Sequence, residues 1–196
     1  VRTALASTAI LIGVGSAAAY YEWSREQVSY YQNVVERWGI QEGVGEVSRA
    51  VQKHRSRTYR VLKQRGRVGR VELINSQGYL TNSRDREASW EYQYDSGSGR
   101  VRKVVARDEL SQVRRQYLYS DDLRRQDFRD AYDLPKPLEG SDISQELREL
   151  DERGYVRRLR FANLYGSPRA NGDGAYGFDY TLQVHGLPVQ ERVLGA

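Results

Sequence analysis

The sequence predicts a mainly β protein: an N-terminal transmembrane or juxtamembrane helix, then antiparallel β-hairpin repeats forming an elongated sheet or β-solenoid. Three observations predict it. Nineteen consecutive residues, from Thr3 to Tyr21, carry no charge. From residue 57 onward, aromatic and charged residues alternate with a period of two, as in strands with one buried face. Turn residues recur at Gly66, Gly99, Asp121, Gly154 and Gly186, in steps of 33, 22, 33 and 32.

Taken in order, residues 1–21 read as a membrane anchor. About 20 apolar residues cross a bilayer core, and Tyr20, Tyr21 and Trp23 follow at once, as an interfacial aromatic belt does. The rival is a cleaved signal peptide, with Arg2 as its charged start and Ala17-x-Ala19 as the cleavage site. Residues 22–54 read as a helical juxtamembrane stalk. There Val28, Tyr31, Val34, Val35 and Trp38 follow the spacing of one helix face. A helix continuing past the span favours the anchor, with the lipid bilayer as a partner through Thr3 to Tyr21.

Residues 55–196 read as about five hairpin units. Tyr59 and Val61, Trp90, Tyr92 and Tyr94, Tyr117 and Tyr119, then Phe178 and Tyr180 fall on one face at period two. Returning strands add Val71, Leu73, Val104, Phe128, Leu159 and Phe161, while arginines and acids fill the opposite face for cross-strand pairing. A lone hairpin is marginal in water, so the units must share a core.

Composition narrows the chemistry. The chain has 196 residues, 39% hydrophobic and 29% charged, which fits one domain and excludes a multi-span membrane protein. Fifteen tyrosines, three tryptophans and three phenylalanines exclude the aromatic-poor makeup of disordered chains. No cysteine is present, so disulfides, zinc knuckles and thiol nucleophiles are excluded. His54 and His185 are isolated. Adjacent carboxylates such as Asp121 and Asp122, on a solvated turn, are poor acid–base pairs. The stretch Asn171-Gly-Asp-Gly174 has the residues of a calcium loop but lacks its closing glutamate, and turn chemistry explains it as well. No catalytic residue, metal or cofactor is read from the sequence, and the chain is expected not to be an enzyme.

Charge is polarised along the chain. Nine bases and no acid lie between Glu46 and Glu72, whereas residues 120–153 carry eleven acids against six bases. The basic run could hold phosphate or anionic lipid, but pairing with acids of the same sheet ranks ahead of nucleic acid. The candidate interaction surface is the aromatic face with the basic run: Tyr59, Trp90, Tyr92, Tyr94, Tyr117 and Tyr119, with Arg55, Arg57, Arg60, Arg65, Arg67 and Arg70.

The units YDSGSGRV, LDERGYVRRLRFANLYGSPRANGDGAYG and FDYTLQVHGLPVQERVLG resemble the Tyr-Asp (YD/RHS-type) repeats of bacterial surface proteins, through the spacing D-x-x-G-x-V-x-x-x-x-F-x-N-x-x-G-x-P. The block from Glu22 into the repeats is similar to a region of membrane-anchored bacterial signalling proteins, found beside Ser/Thr kinase or formylglycine-enzyme-like domains. Asp121-Asp122 departs from the pattern by replacing the turn glycine. The resemblance implies a non-catalytic, single-pass module with its repeats outside the cytoplasm, acting as a sensor or protein-interaction ectodomain, with a protein partner or a homodimer. The alternative is an accessory structural subunit of a membrane complex.

Overall fold

A computed structural model describes residues 25–195. Twelve strands form one antiparallel sheet: β1 (Gln27–Arg37), β2 (Ile40–Val47), β3 (Thr58–Gln64), β4 (Arg67–Ile74), β5 (Ser89–Tyr94), β6 (Val101–Arg107), β7 (Val113–Tyr119), β8 (Arg125–Arg129), β9 (Gln145–Leu150), β10 (Val156–Ala162), β11 (Gly177–Leu182) and β12 (Pro188–Leu194). The strand order is β2-β1-β3-β4 and then sequential to β12, a meander of hairpins with two open edges. It is one continuous sheet and not a solenoid, because each hairpin pairs directly with the next.

One turn recurs throughout. Eight five-residue turns begin at Asn75, Ser83, Asp108, Asp130, Asp151, Asn163, Asn171 and Gln183. In each, the first N–H donates to the fifth carbonyl and the fourth N–H donates back to the first carbonyl. The fourth residue has positive φ in all eight. This is a type I turn closed by a left-handed residue, so Asn or Asp first and Gly fourth is the expected chemistry. Six of the eight use the first side chain's Oδ1 to accept N–H groups from the third and fifth residues. The Asn171 stretch is one of these six, so its side chain serves the turn.

The repeat is also less regular than its glycines suggest. In the third unit the left-handed residue is Leu123 and not Asp121, so the steps become 33, 24, 31 and 32. The short step has a structural cause. The β4–β5, β8–β9 and β10–β11 connections each carry two turns, whereas β6–β7 carries only the turn from Asp108 to Gln112.

The juxtamembrane helix is corrected to a hairpin. Residues 27–47 form β1 and β2, joined by Trp38-Gly39, both with positive φ, as a two-residue hairpin turn requires. Val and Tyr density favours strand over helix here. The helical spacing arises because β1 changes partner along its length, pairing β3 over Gln27–Tyr31 and β2 over Tyr30–Arg37. The helix in this region is α1 (Arg49–Gln52), capped by Ser48.

The anchored, single-pass reading, with the bilayer as partner and the repeats outside the cytoplasm, is corrected with it. Among the described residues no helix is long and apolar enough to cross a membrane, and the stalk that should join anchor to repeats is strand. The span from Thr3 to Tyr21 itself lies outside the described residues.

The sheet curls. Glu36 on β1 contacts Arg148 on β9, seven strand places away, a gap of about 34 Å on a flat sheet. Bulges in the β3–β4, β5–β6, β6–β7, β9–β10 and β11–β12 pairs add the local twist that curling needs. The tip of the β1–β2 hairpin crosses the inner face and docks on the β9–β10 turn. Trp38 N–H donates to the Gly154 carbonyl at 2.8 Å, and Arg37 Nε donates to the Arg153 carbonyl at 2.7 Å. The Trp38 ring occupies the space where a Cβ on Gly154 would stand, so a glycine is required there by contact as well as by φ.

Two apolar clusters fill the inner face. Val61, Val71, Leu73, Trp90, Tyr92, Val104 and Ala106 form the larger one. Phe128, Ile143 and Phe161 form the smaller. Between them the inward positions turn polar.

A polar chamber on the inner face

Period two directs Arg115, Tyr117 and Tyr119 of β7, Gln126 of β8, and Glu146 and Arg148 of β9 to the inner face. The β1–β2 hairpin roofs them with Glu36, Gly39 and Gln41, leaving a cavity of about 250 Å³ that Trp90, Tyr92, Asp85 and Glu87 also line. Its walls are four aromatic rings and its polar groups are mainly acceptors.

Arg148 is the central cation, only 7% exposed. Both its Nη atoms donate to the two oxygens of Glu36, the second at 2.6 Å, and its Nε lies 3.4 Å from Glu146 Oε2. Its guanidinium also stands over the Tyr119 ring, 5.4 Å from the centroid. Burial works against its charge, but Glu36, Tyr119 and Glu146 outweigh burial and hold the guanidinium protonated.

Glu87 is the second focus. Trp90 Nε1 donates to its Oε2 at 2.9 Å and the Tyr117 hydroxyl donates to its Oε1 at 2.6 Å. Arg115 lies 3.9 Å away and packs over the Tyr117 and Phe128 rings. Burial raises the Glu87 carboxyl above its ordinary value despite those two donors, and it raises Glu146 despite Arg148. The same burial lifts the hydroxyls of Tyr92, Tyr117 and Tyr119, so all three stay neutral at physiological pH. Gln41 N–H donates to the Tyr92 hydroxyl at 3.1 Å, yet Gln41 Oε1 is buried without a hydrogen-bond donor.

The residues singled out in the sequence divide. Trp90, Tyr92, Tyr117 and Tyr119 line the chamber, though Trp90 and Tyr92 are each only 8% exposed and belong to the core as well. Tyr94 donates its hydroxyl to the Val68 carbonyl, burial pushes it up to about 12, and Arg67 stacks on its ring. Tyr59 is half-buried beside the larger cluster. The arginines lie elsewhere. Arg60 and Arg70 pair with Glu72, Arg70 also reaches Glu91, and Arg57 donates to the Asn82 carbonyl. Arg65 occupies the left-handed β3–β4 turn, and Arg55 follows α1 half-buried. Within the basic run, Arg60 and Arg70 thus find their acids on β4 and β5 and not in residues 120–153.

Sequence reading missed Glu36, Gln41, Glu87, Gln126, Glu146 and Arg148. One signal was available: in the strand QELREL, an acid and a base share the parity of Leu150, which packs on the larger cluster.

Fold and chamber together define an antiparallel hairpin-repeat sheet with a charged, aromatic cavity open on its inner face. Compared with known proteins, the chain matches no family model, no curated protein and no solved structure. The resemblance to YD/RHS-type repeats and to membrane-anchored signalling ectodomains is corrected accordingly. The D-x-x-G spacing that carried it is the chemistry of a five-residue turn, which any hairpin meander can use.

Proposed function

We propose that this protein is a small-molecule-binding module and that the chamber beneath the β1–β2 hairpin is its ligand site. The observation that carries the reading is a cavity of about 250 Å³ with aromatic walls and convergent polar groups, on the face where other hairpins pack apolar side chains. Such a polar interior is costly to fold unless its groups are matched, and the unmatched Gln41 Oε1, Arg115 Nε and Arg148 Nε mark where matching stops.

Binding is favoured over turnover. The lining offers no Ser, Thr, His or Lys, and its tyrosine hydroxyls are pushed up, away from the phenolate form. Glu36 is clamped by Arg148, and both oxygens of Glu87 hold donors. These carboxylates are fixed as walls and not poised to exchange protons.

The test is a fragment screen by ligand-observed NMR, read back on the Trp90 indole N–H with ¹⁵N-labelled tryptophan and assigned with Trp90→Phe. Expected hits shift that signal, are lost in Gln41→Trp, which fills the chamber from its rim, and are recovered chemically unchanged. Hits that leave Trp90 unmoved and survive Gln41→Trp would overturn the reading.

A further inference from the structure

We infer that the chamber selects a small organic cation rich in hydrogen-bond donors, of the alkylguanidinium or alkylammonium class; this rests on the chamber being a ligand site. The charge count comes first. Four carboxylates, of Glu36, Asp85, Glu87 and Glu146, face two guanidiniums, of Arg115 and Arg148, in and beside the cavity. An incoming cation reduces the imbalance, whereas an anion enlarges it.

The second argument is the state of each group. Arg148 commits both Nη atoms to Glu36, and its Nε faces Glu146 at 3.4 Å without a hydrogen bond. Arg115 lies over two rings with one Nη 3.9 Å from Glu87. Unmatched groups of both kinds remain, and the Nε atoms of Arg115 and Arg148 lack hydrogen-bond acceptors. Gln41 Oε1 is buried without a donor, and Glu146 has only the 3.4 Å approach of Arg148 on one oxygen. A ligand that brings N–H groups into the cavity meets the Glu146 carboxylate, which lines it.

The walls add selectivity. Trp90, Tyr92, Tyr117 and Tyr119 present aromatic surface, and a planar or alkylated cation is held by such faces where a hydrated metal ion is not. Arg148 over Tyr119 shows the same contact made internally. The cavity lies below the roughly 300–1,000 Å³ of drug-sized sites, so the ligand is small. Asp85, exposed at the rim, would meet the cation as it enters.

Isothermal titration calorimetry of the whole chain with butylguanidinium, its neutral isostere butylurea, and butanoate tests the class. The expected result is binding of butylguanidinium, at least tenfold weaker binding of butylurea, and no heat with butanoate. Glu146→Gln and the rim variant Asp85→Asn should each weaken butylguanidinium, Glu146→Gln by tenfold or more. Asp85 is exposed, so Asp85→Asn keeps the test valid if Glu146→Gln perturbs folding. Equal or tighter binding of butylurea or butanoate, still lost in Gln41→Trp, overturns the cation class and leaves the chamber as a site. Binding that no chamber variant alters, or heat from none of the three probes, overturns the class and the site together.

Discussion

On the outer face, Asp179 of β11 sits between Arg158 and Arg192, and Glu149 sits between Arg157 and Arg158. Hydrogen bonds from Arg158 and then Arg192 hold the Asp179 carboxyl well below the usual range, and the bond from Arg157 lowers Glu149. On the inner face, one strand pair away, burial drives Glu146 and Glu87 the other way. The same residue types on the same sheet thus acquire opposite electrostatics. Outside, water does most of the solvation and the arginines add to it. Inside, each charge depends on a specific partner, and the match is incomplete. A repeat that alternates its faces can therefore use charge for solubility on one side and for selective recognition on the other.

The largest test of this contrast removes one cation from each face. Arg148→Met leaves the part-buried Glu36 and Glu146 without their counter-charge, which should cost about 3 kcal/mol in a urea titration. Arg107→Met, which breaks the more open pair with Glu91 on the outer face, should stay within about 1 kcal/mol. Equal costs would break the comparison.

Next comes the docked hairpin tip. Gly154→Ala places a Cβ against the Trp38 ring at a φ of +89°. The left-handed conformation alone costs roughly 1–2 kcal/mol, and displacement of Trp38 adds to it. Hydrogen exchange gives the specific signature. The Trp38 amide, which donates to the Gly154 carbonyl, should lose protection while amides in the β3–β6 ladder keep theirs. Uniform loss across the sheet would show that the tip is not a separable clasp.

The two faces should also separate by pH. A carboxyl raised on folding binds protons more readily in the native state, so its contribution is fully present below the ordinary value of 4.5 and is lost as pH rises through the raised value. A carboxyl lowered on folding does the reverse. Asp179 contributes above 3.8 and loses that contribution as pH falls. Glu146→Gln should therefore flatten the decline in stability above pH 4.5, and Asp179→Asn should flatten the acid limb below 3.8. Urea midpoints measured across that range check both, and a shared limb for the two variants would contradict the face assignment.

How much of this was legible in the sequence follows from how local each feature is. The hairpins from Tyr59 onward could be read because alternation and turn chemistry are set by neighbours a few residues apart. The β1–β2 hairpin could not, since β1 exchanges partners midway and its burial follows neither a strict strand nor a strict helix period. The chamber was less legible still. Glu36 and Arg148 meet across 112 residues, and nothing local to either announces the other. Curling of the sheet brings them together, and curling depends on bulges that leave no simple motif.

The turns show the same limit on a smaller scale and supply the smallest effect. Five of the eight five-residue turns have glycine at the left-handed position, and two of these, Gly154 and Gly186, are among the residues that mark the repeats in the sequence. The other three have Arg86, Ser111 and Asp133 there and are silent. Ser111, at a φ of 63°, carries the backbone cost that glycine avoids. Ser111→Gly should stabilise the fold by a few tenths to about 1 kcal/mol, because relief of that cost is partly offset by glycine's greater freedom in the unfolded chain. Gly78→Ala should do the opposite by about 1 kcal/mol. A Cβ there meets nothing within 4 Å, so the backbone alone decides the sign. Opposite shifts in thermal midpoint would show that the two positions are one structural site written in different residues. Shifts of the same sign would mean that the turns differ in kind, and that the repeat ends where its glycines do.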